Sequence, residues 1–427
     1  NGGVNYAEGG PPGAEPLPVP NVAPPDPATA KQVTLDQLLA YADAHAPRVR
    51  VGRQQAALGE AEIEAASPLL QDNPDLGVAA GGRRVGSTSL FELELSLEQR
   101  FEIAGERGLR IEAAEAARDL AQLDLDQARW EVHAEVHALF YEVLLAKQRL
   151  AAVDQLVAFA ESLYTIADKR ARAGDTAPFT LIVARAELAQ ARQARVAEKQ
   201  AGEAAKLALA GVVGWPAGQL PKLEGALPAV RRSPPLNELV TTAQRHHPAL
   251  RGVALAVRAA DARVRLEDRE AWPEPALGVV YAREGEDAGP ASHLWLGTLS
   301  VPIPIWQRNQ AGRARAKAER EIARAEGDAM QATLRARLAR AAGAVDAAAE
   351  RVKIYGTHIL PAFERNLEKI RRAYDLGELE IHQVSQIRER VLATQQEGLD
   401  ALGDYYRAVA ELEALLGTDI WPEAKKR

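Results

Sequence analysis

Residues 136–167 read VHALFYEVLLAKQRLAAVDQLVAFAESLYTIA, and their apolar spacing predicts a very long paired helix. Apolar residues recur at alternating intervals of three and four, which is the heptad repeat of a coiled coil. Several of these positions are Ala, so we expect the backbones of the paired helices to approach closely. The seam comprises Val136, Leu139, Val143, Ala146, Leu150, Val153, Val157, Ala160, Tyr164 and Ala167.

The same seam recurs about 202 residues later in the chain. This second helix contains Pro361, which lacks an amide donor and therefore predicts a kink. The second seam comprises Leu338, Ala341, Val345, Ala348, Val352, Tyr355, Ile359 and Ala362.

Other landmarks show that the whole chain is duplicated. Residues 35–47 read LDQLLAYADAHAP, and residues 236–248 read LNELVTTAQRHHP. Matched landmarks follow in the same order with a drift of only two residues, which indicates one structural plan built twice. They are Ala173-Gly174-Asp175 with Leu376-Gly377-Glu378, and Val212-Val213-Gly214 with Leu415-Leu416-Gly417.

The predicted fold is mainly α with a small β part. Each repeat is expected to contain a helix, a β-hairpin, a very long helix and a return helix that follows a glycine. The N-terminal arm is rich in proline and is interpreted as a linker, or alternatively as a strap on the protein's own surface. The predicted segments are the arm 1–33, repeat 1 at 34–214, a linker at 215–234, repeat 2 at 235–421 and a tail at 422–427. Within the repeats the elements are 34–67, 75–103, 105–172 and 178–211, then 235–270, 275–305, 311–375 and 380–416.

The predicted strands have the alternation of membrane strands. Residues 91–98 read FELELSLE, with apolar side chains on one face and polar ones on the other. A half-buried strand of a soluble protein has a similar pattern, but aromatic residues near the strand ends favour a membrane. Four strands cannot close a barrel, and lipid does not tolerate open edges, so we expect several copies to associate. Glu92, Glu94 and Glu98 would then face the lumen, either to favour cations or simply because a wet lumen is polar.

Composition excludes several classes of function. The chain has no Cys, a single Met and a net charge of −7, which exclude disulfides, sulfur ligand relays and a nucleic-acid-binding surface. No uninterrupted apolar run reaches 18 residues, so no transmembrane helix is expected. Without a signal sequence, the chain is expected to be either cytosolic or a mature form. No catalytic motif is found, so we predict no enzyme activity and no cofactor.

A pair of histidines lies on the first long helix. His133 and His137 are four residues apart and share a helix face, which is compatible with a metal site. No third ligand is evident from the sequence, although Glu131 and Glu135 are near. We therefore predict a solvated helix face and no metal site.

These features resemble the TolC family of outer-membrane factors over residues 34–421. Four segments look closest to the heavy-metal efflux branch, whose members are similar to CzcC. They are EQRFEIAGERGLR at 98–110, ARAGDTAPFTLIVARAELAQAR at 171–192, VPIPIWQRNQAG at 301–312 and ILPAFERNLEKIRRAYDLGELEIHQV at 359–384.

The resemblance implies a homotrimer with a twelve-stranded transmembrane β-barrel and a long periplasmic α-barrel, in the outer membrane of a Gram-negative bacterium. It implies a passive exit duct for divalent heavy-metal cations, working with a periplasmic adaptor and a resistance-nodulation-division pump in the inner membrane. The helical tips would dock the adaptor, although the charged residues there would also suit an ordinary helix turn. Their acids could ring an aperture and attract cations, or simply form a solvated acidic end. The docking residues are Arg170, Gly174, Asp175, Thr176, Arg372, Gly377 and Glu378, and the acidic ring adds Asp375 and Glu380.

Two other functions remain open at this point. A factor for drug efflux or type I secretion would share the architecture. A soluble coiled-coil structural or adaptor protein would explain the heptads but not the two alternating hairpins.

Overall fold

The computed structural model describes residues 22–216, 219–285, 290–356 and 369–421. The kink expected at Pro361, the seam positions Ile359 and Ala362, and part of the second hairpin turn lie outside these residues. Most of the N-terminal arm and the predicted tail also lie outside them.

The first repeat runs from a short strand and two helices through a β-hairpin to a very long helix and a return helix. Its two hairpin strands are joined by a tight turn at Gly86, whose φ of 61° suits glycine. The elements are β1 Gln32–Val33, α1 Leu35–His45, α2 Pro47–Ala66, β2 Asp75–Val85, β3 Thr88–Arg100, α3 Glu106–Ala173 and α4 Pro178–Val213.

The second repeat follows the same plan. Both return helices end at a left-handed glycine, Gly214 in the first repeat and Gly417 in the second. The elements are β4 Lys222–Leu223, α5 Leu236–His246, α6 Pro248–Arg269, β5 Ala276–Glu284, β6 Ser292–Ser300, α7 Gln310–Ile354, α8 at 369–376 and α9 Ile381–Leu416.

The prediction of one continuous helix at the start of each repeat is wrong. Residues 34–67 form α1 and α2, and residues 235–270 form α5 and α6. The breaks fall at Ala46 and His247, each of which precedes a proline and leaves the helical region with ψ of 131° and 117°. The proline ring disfavours a helical conformation in the preceding residue, so each first helix stops there and the proline starts the next one.

The predicted linker is also not free of regular structure. Lys222 and Leu223 form β4, which pairs in parallel with β1 at the end of the N-terminal arm. Val33 and Leu223 are both buried in this contact. The end of the arm is therefore anchored to the segment between the repeats.

The chain divides into two compact units. The helical unit comprises the described residues of Asn1–Arg53, Leu125–Arg251 and Gln331–Arg427, and the sheet unit comprises Gln54–Asp124 and Gly252–Met330.

The core of the helical unit is built on the predicted heptad seams. Val136, Val143 and Val153 of the first seam are buried, as are Leu338 and Val345 of the second. One buried cluster joins α7 to α9 and α5, and its aromatic members are Tyr405 and Tyr406. The seam therefore packs as the sequence predicts, over the part of it that the structure describes.

One described helix is long and apolar enough to cross a membrane, by length and composition alone. α3 contains an 18-residue window with mean hydropathy 1.3, of which 28% is buried. The window is not an uninterrupted apolar run, so it differs from the pattern on which the expectation of no transmembrane helix is based. A core helix of a soluble protein can have the same length and composition, so these features alone do not make α3 a membrane span.

Candidate functional site

The sheet unit exposes an apolar face. Its four strands are antiparallel neighbours in the order β2-β3-β5-β6, and the register aligns apolar residues in rows across them. Leu76 is 71% exposed and Trp295 is 69% exposed. A water-soluble protein would normally bury such a continuous surface. The exposed residues of this face are Leu76, Val78, Phe91, Leu95, Leu97, Leu277, Val279, Trp295 and Leu299.

The opposite face carries the predicted lumen residues. The register places Glu92, Glu94 and Glu98 on one side of β3, opposite Gly81, Ala79 and Asp75 of β2. The Arg83 guanidinium lies 2.5 Å from the Glu92 carboxylate, so part of the negative charge is balanced.

β6 departs from the predicted alternation. Leu294 and Leu296 lie on the acidic face, where they pair with Ala282 and Val280 of β5. Their sequence, SHLWLGTLS, carries apolar residues at consecutive positions, so a period of two could not be read from it.

Both helical hairpins turn at the predicted glycines. Gly174 has φ of 78° and Gly377 has φ of 80°, a conformation that L side chains rarely adopt. After each glycine an amide donates back to the helix, from Asp175 to the Arg170 carbonyl oxygen at 2.9 Å and from Glu378 to the Ala373 carbonyl oxygen at 2.8 Å. These bonds end the first helix of each pair and free the chain to reverse.

The structure brings the two tips together. The Arg170 guanidinium from repeat 1 donates to the Asp375 carbonyl oxygen at 2.7 Å and lies over the ring of Tyr374, 5.4 Å from its centroid. Tyr374 is 2% exposed and packs in a cluster with Leu163, Ala167, Ala184, Ile381 and Val384. Arg170 therefore joins the two hairpins, a role that the sequence could not show.

The other predicted tip residues lie at the surface. Thr176 is half-buried, and Glu380 caps α9 through a reciprocal pair of hydrogen bonds with Gln383. The side chains of Asp175, Arg372, Asp375, Glu378 and Glu380 are exposed, as is Gly174.

Sequence reasoning missed two features of the tips. Phe179 and Leu376 are large apolar residues, and both are exposed. Arg388 of α9 is buried and forms an ion pair with Glu187 of α4. Leu376 directly precedes Gly377 and Phe179 directly follows Pro178, so the sequence carried a signal for the first feature. The ion pair joins helices from different repeats, so no local pattern could reveal it.

The predicted solvated face at His133 and His137 is wrong. Their side chains are only 11% and 13% exposed, and they lie against Asp419 and Glu413 respectively. His133 Nε2 lies 2.9 Å from the Asp419 carboxylate, and His137 Nδ1 lies 3.5 Å from the Glu413 carboxylate. Asp419 is the third candidate ligand that the sequence did not reveal, since 286 positions separate it from His133.

The charges of this cluster shift its pKa values. Burial opposes the charged imidazole of His137, but the hydrogen bond and charge of Glu413 outweigh it and raise the pKa. Burial would raise the pKa of Asp419, but the hydrogen bond from His133 and the nearby imidazoles lower it. These pKa shifts favour the ionised carboxylate of Asp419 and the protonated imidazole of His137.

Comparisons with known proteins agree with the duplicated plan. Residues 38–215 and 239–418 both match the family described as outer membrane efflux protein. The cobalt-zinc-cadmium resistance protein CzcC of Cupriavidus metallidurans is 24% identical over 347 residues, 81% of each chain. The nickel-cobalt-cadmium resistance protein NccC of Alcaligenes xylosoxydans xylosoxydans is 28% identical over 66% of this chain and 62% of its own.

A solved structure has the same fold. The crystal structure of CusC, described as forming a transmembrane channel, superimposes with a TM-score of 0.71 over 96% of this chain and 99% of that one. The sequence identity is 15%, so this likeness concerns the fold.

Proposed function

The chain belongs to the outer membrane efflux protein family, and we propose that it is the exit duct of a tripartite system that exports divalent heavy-metal cations. Membership of this family makes the chain an outer-membrane efflux channel. Beyond this, we propose that the channel is a homotrimer, that its cargo is metal cations, and that it works with a periplasmic adaptor and a resistance-nodulation-division pump. In this role the chain uses no catalytic residue, because the pump supplies the energy.

The observation that carries the proposal is the four-stranded sheet. Among the described strands, β2 and β6 are its two edges, and its apolar face is exposed. A lipid bilayer supplies the missing apolar surroundings but leaves no water to satisfy open edges. Pairing of β2 of one copy with β6 of the next satisfies both requirements, and three copies give a barrel of about twelve strands.

Two relatives support the metal cargo. CzcC and NccC are named for resistance to cobalt and cadmium, with zinc or nickel. Glu92, Glu94 and Glu98 lie on the face of the sheet opposite the apolar one, and their negative charge suits cations. The Arg83 guanidinium balances the charge of Glu92. A duct for drugs or for type I secretion would share the architecture, so the cargo needs its own test.

The tips support the proposed docking of an adaptor. Exposed acids and two exposed apolar side chains, Phe179 and Leu376, lie around turns that are held by Arg170 and Tyr374. Charged groups would steer the adaptor and apolar groups would anchor it.

Engineered disulfides test the trimer directly, because the chain has no native Cys. Ala79 of β2 and Leu294 of β6 face the same side of the sheet and lie three strand spacings apart within one chain. That separation is about 14 Å, too far for a disulfide, so any crosslink must join two copies.

We expect Ala79→Cys combined in turn with Leu294→Cys, Leu296→Cys or Thr298→Cys to give a ladder ending at three chains. Each single variant is the control and should give no ladder. A chain that crosslinks in no register and is extracted as a monomer without detergent would refute the duct. Metal cargo is tested by comparing tolerance to cobalt, zinc and cadmium between cells with and without the chain. Tolerance to a panel of drugs, measured in the same cells, tests the alternative of a drug duct.

A further inference from the structure

We propose that His133, His137 and Asp419 form a binding site for a divalent transition-metal ion. The three residues belong to the helical unit, where the chain after α9 returns to α3. This site does not depend on which cargo the duct carries, and its test does not require export.

The spacing of the ligand atoms fits a metal such as Zn²⁺ or Co²⁺. Two ligands of a tetrahedral ion are about 3.4 Å apart when each bond is close to 2.1 Å long. His133 Nε2 and the Asp419 carboxylate are 2.9 Å apart, and all three ligand atoms lie within 4.8 Å of one another. Small side-chain rotations therefore bring them to bonding distance, with a fourth position left for water.

The chemistry of the donors also fits. Two imidazoles with one carboxylate suit zinc, cobalt and nickel better than calcium or magnesium, which prefer oxygen. Glu413 lies 3.5 Å from His137 Nδ1, so a second carboxylate is available to orient that ring. Glu413 is itself held by the Ile420 amide, which donates to its carboxylate at 3.1 Å.

The surroundings hold the ligands in place while leaving access. The Trp130 indole stacks on the His133 ring with centroids 4.7 Å apart. The Trp130 Nε1 donates to the Glu413 carbonyl oxygen at 3.1 Å. The Asp419 side chain is 23% exposed, so an ion can reach the cluster from solvent.

The duplication supplies an internal comparison. At the repeat offset of about 202, His133 and His137 correspond to Arg335 and Ala339. Asp419 corresponds to Pro216 at the offset of 203 that relates the return helices. The fold is therefore built in the other repeat without these ligands, so packing alone does not require them.

The test is binding of Co²⁺ to the full-length chain, purified in detergent without a polyhistidine tag. We expect one ion per chain and the visible absorption of four-coordinate Co²⁺, which Zn²⁺ then abolishes. His137→Gln and Asp419→Asn should each weaken binding at least about tenfold. Asp419→Asn retains a hydrogen-bond acceptor for His133, so it preserves the local packing.

His382→Gln is the matched control, because this exposed histidine also lies beside a carboxylate, that of Glu380 at 3.2 Å. Its binding should equal that of the unmodified chain. Absence of the absorption, or an equal loss in the control, would overturn the proposal. Equal Co²⁺ binding by Asp419→Asn in a folded trimer would also overturn the proposal. The contact between His133 and Asp419 would then be only a structural hydrogen bond.

Discussion

The sheet and the helical tips differ in whether their apolar residues are buried or exposed. At the tips, Leu163, Tyr374 and Val384 are buried, and charged groups lie at the surface. In the sheet, residues such as Leu76 and Trp295 are exposed, while Glu94 and Ser96 face the other side. Apart from the exposed Phe179 and Leu376, the tips thus follow the rule for a protein in water, whereas the sheet exposes a whole apolar face.

This difference indicates that the two regions have different solvents. Burial of apolar surface stabilises the tips because it removes that surface from water. The sheet gains nothing from its apolar face in water, but that face is matched to lipid. Substitutions in each region test this interpretation.

The largest effect is expected from Tyr374→Ala. Loss of a buried aromatic ring costs about 3–5 kcal/mol, and the Arg170 guanidinium would lose the ring that it covers. Hydrogen exchange of residues 163–184 should rise if the tips form a packed core. Tyr374→Phe is the control, since the hydroxyl has no hydrogen-bond partner among the described residues. Equal exchange in Tyr374→Ala and the unmodified protein would contradict a packed tip.

The next effect separates lipid from water at the sheet. Leu95→Arg should cost about 2–4 kcal/mol if this face meets the bilayer, because charge near the midplane is expensive. The assembled oligomer in membrane fractions should fall accordingly. Glu94→Arg places the same side chain one residue away on the opposite face and should be tolerated. Should both variants assemble equally well, the apolar face does not contact lipid.

A smaller effect is expected at the turn of the second tip. Gly377→Ala should cost about 1–2 kcal/mol, because its φ of 80° is unfavourable for a side chain. The new Cβ would also lie 3.3 Å from the Arg170 guanidinium. Gly343→Ala lies inside α7 with open space around it, so it should stabilise its helix by about 1 kcal/mol. Local hydrogen exchange measures the change in stability caused by each substitution. An unchanged stability in Gly377→Ala would show that the turn adapts to a side chain.

The smallest effect on stability is expected from reversing the exposed tip charges. Asp175→Lys and Glu378→Lys should change stability by less than about 0.5 kcal/mol, as surface substitutions generally do. Export should nevertheless weaken with the trimer intact, because the proposed adaptor contact loses its charge complementarity. Glu411→Lys, an exposed acid on α9, is the control. Unchanged export in both tip variants would separate these acids from docking.

The features predicted from sequence are local or periodic. The heptad seam, the alternating strand and the turns at Gly174 and Gly377 each depend on residues close together in the chain. The breaks at Ala46 and His247 could also be predicted from the prolines that follow them, because proline disfavours a helical conformation in the residue before it. Family membership followed from these features because both repeats carry them in the same order.

The amino-acid sequence by itself determined the duplicated helical plan, the turn positions and the two faces of the strands, because short-range sterics and side-chain periodicity set them. Only the tertiary structure decided that Arg170 covers Tyr374, that β3 pairs with β5, and that Asp419 meets His133. Each of these contacts joins residues that are far apart in the chain. Their partners depend on how the two repeats pack, and no local pattern records that packing.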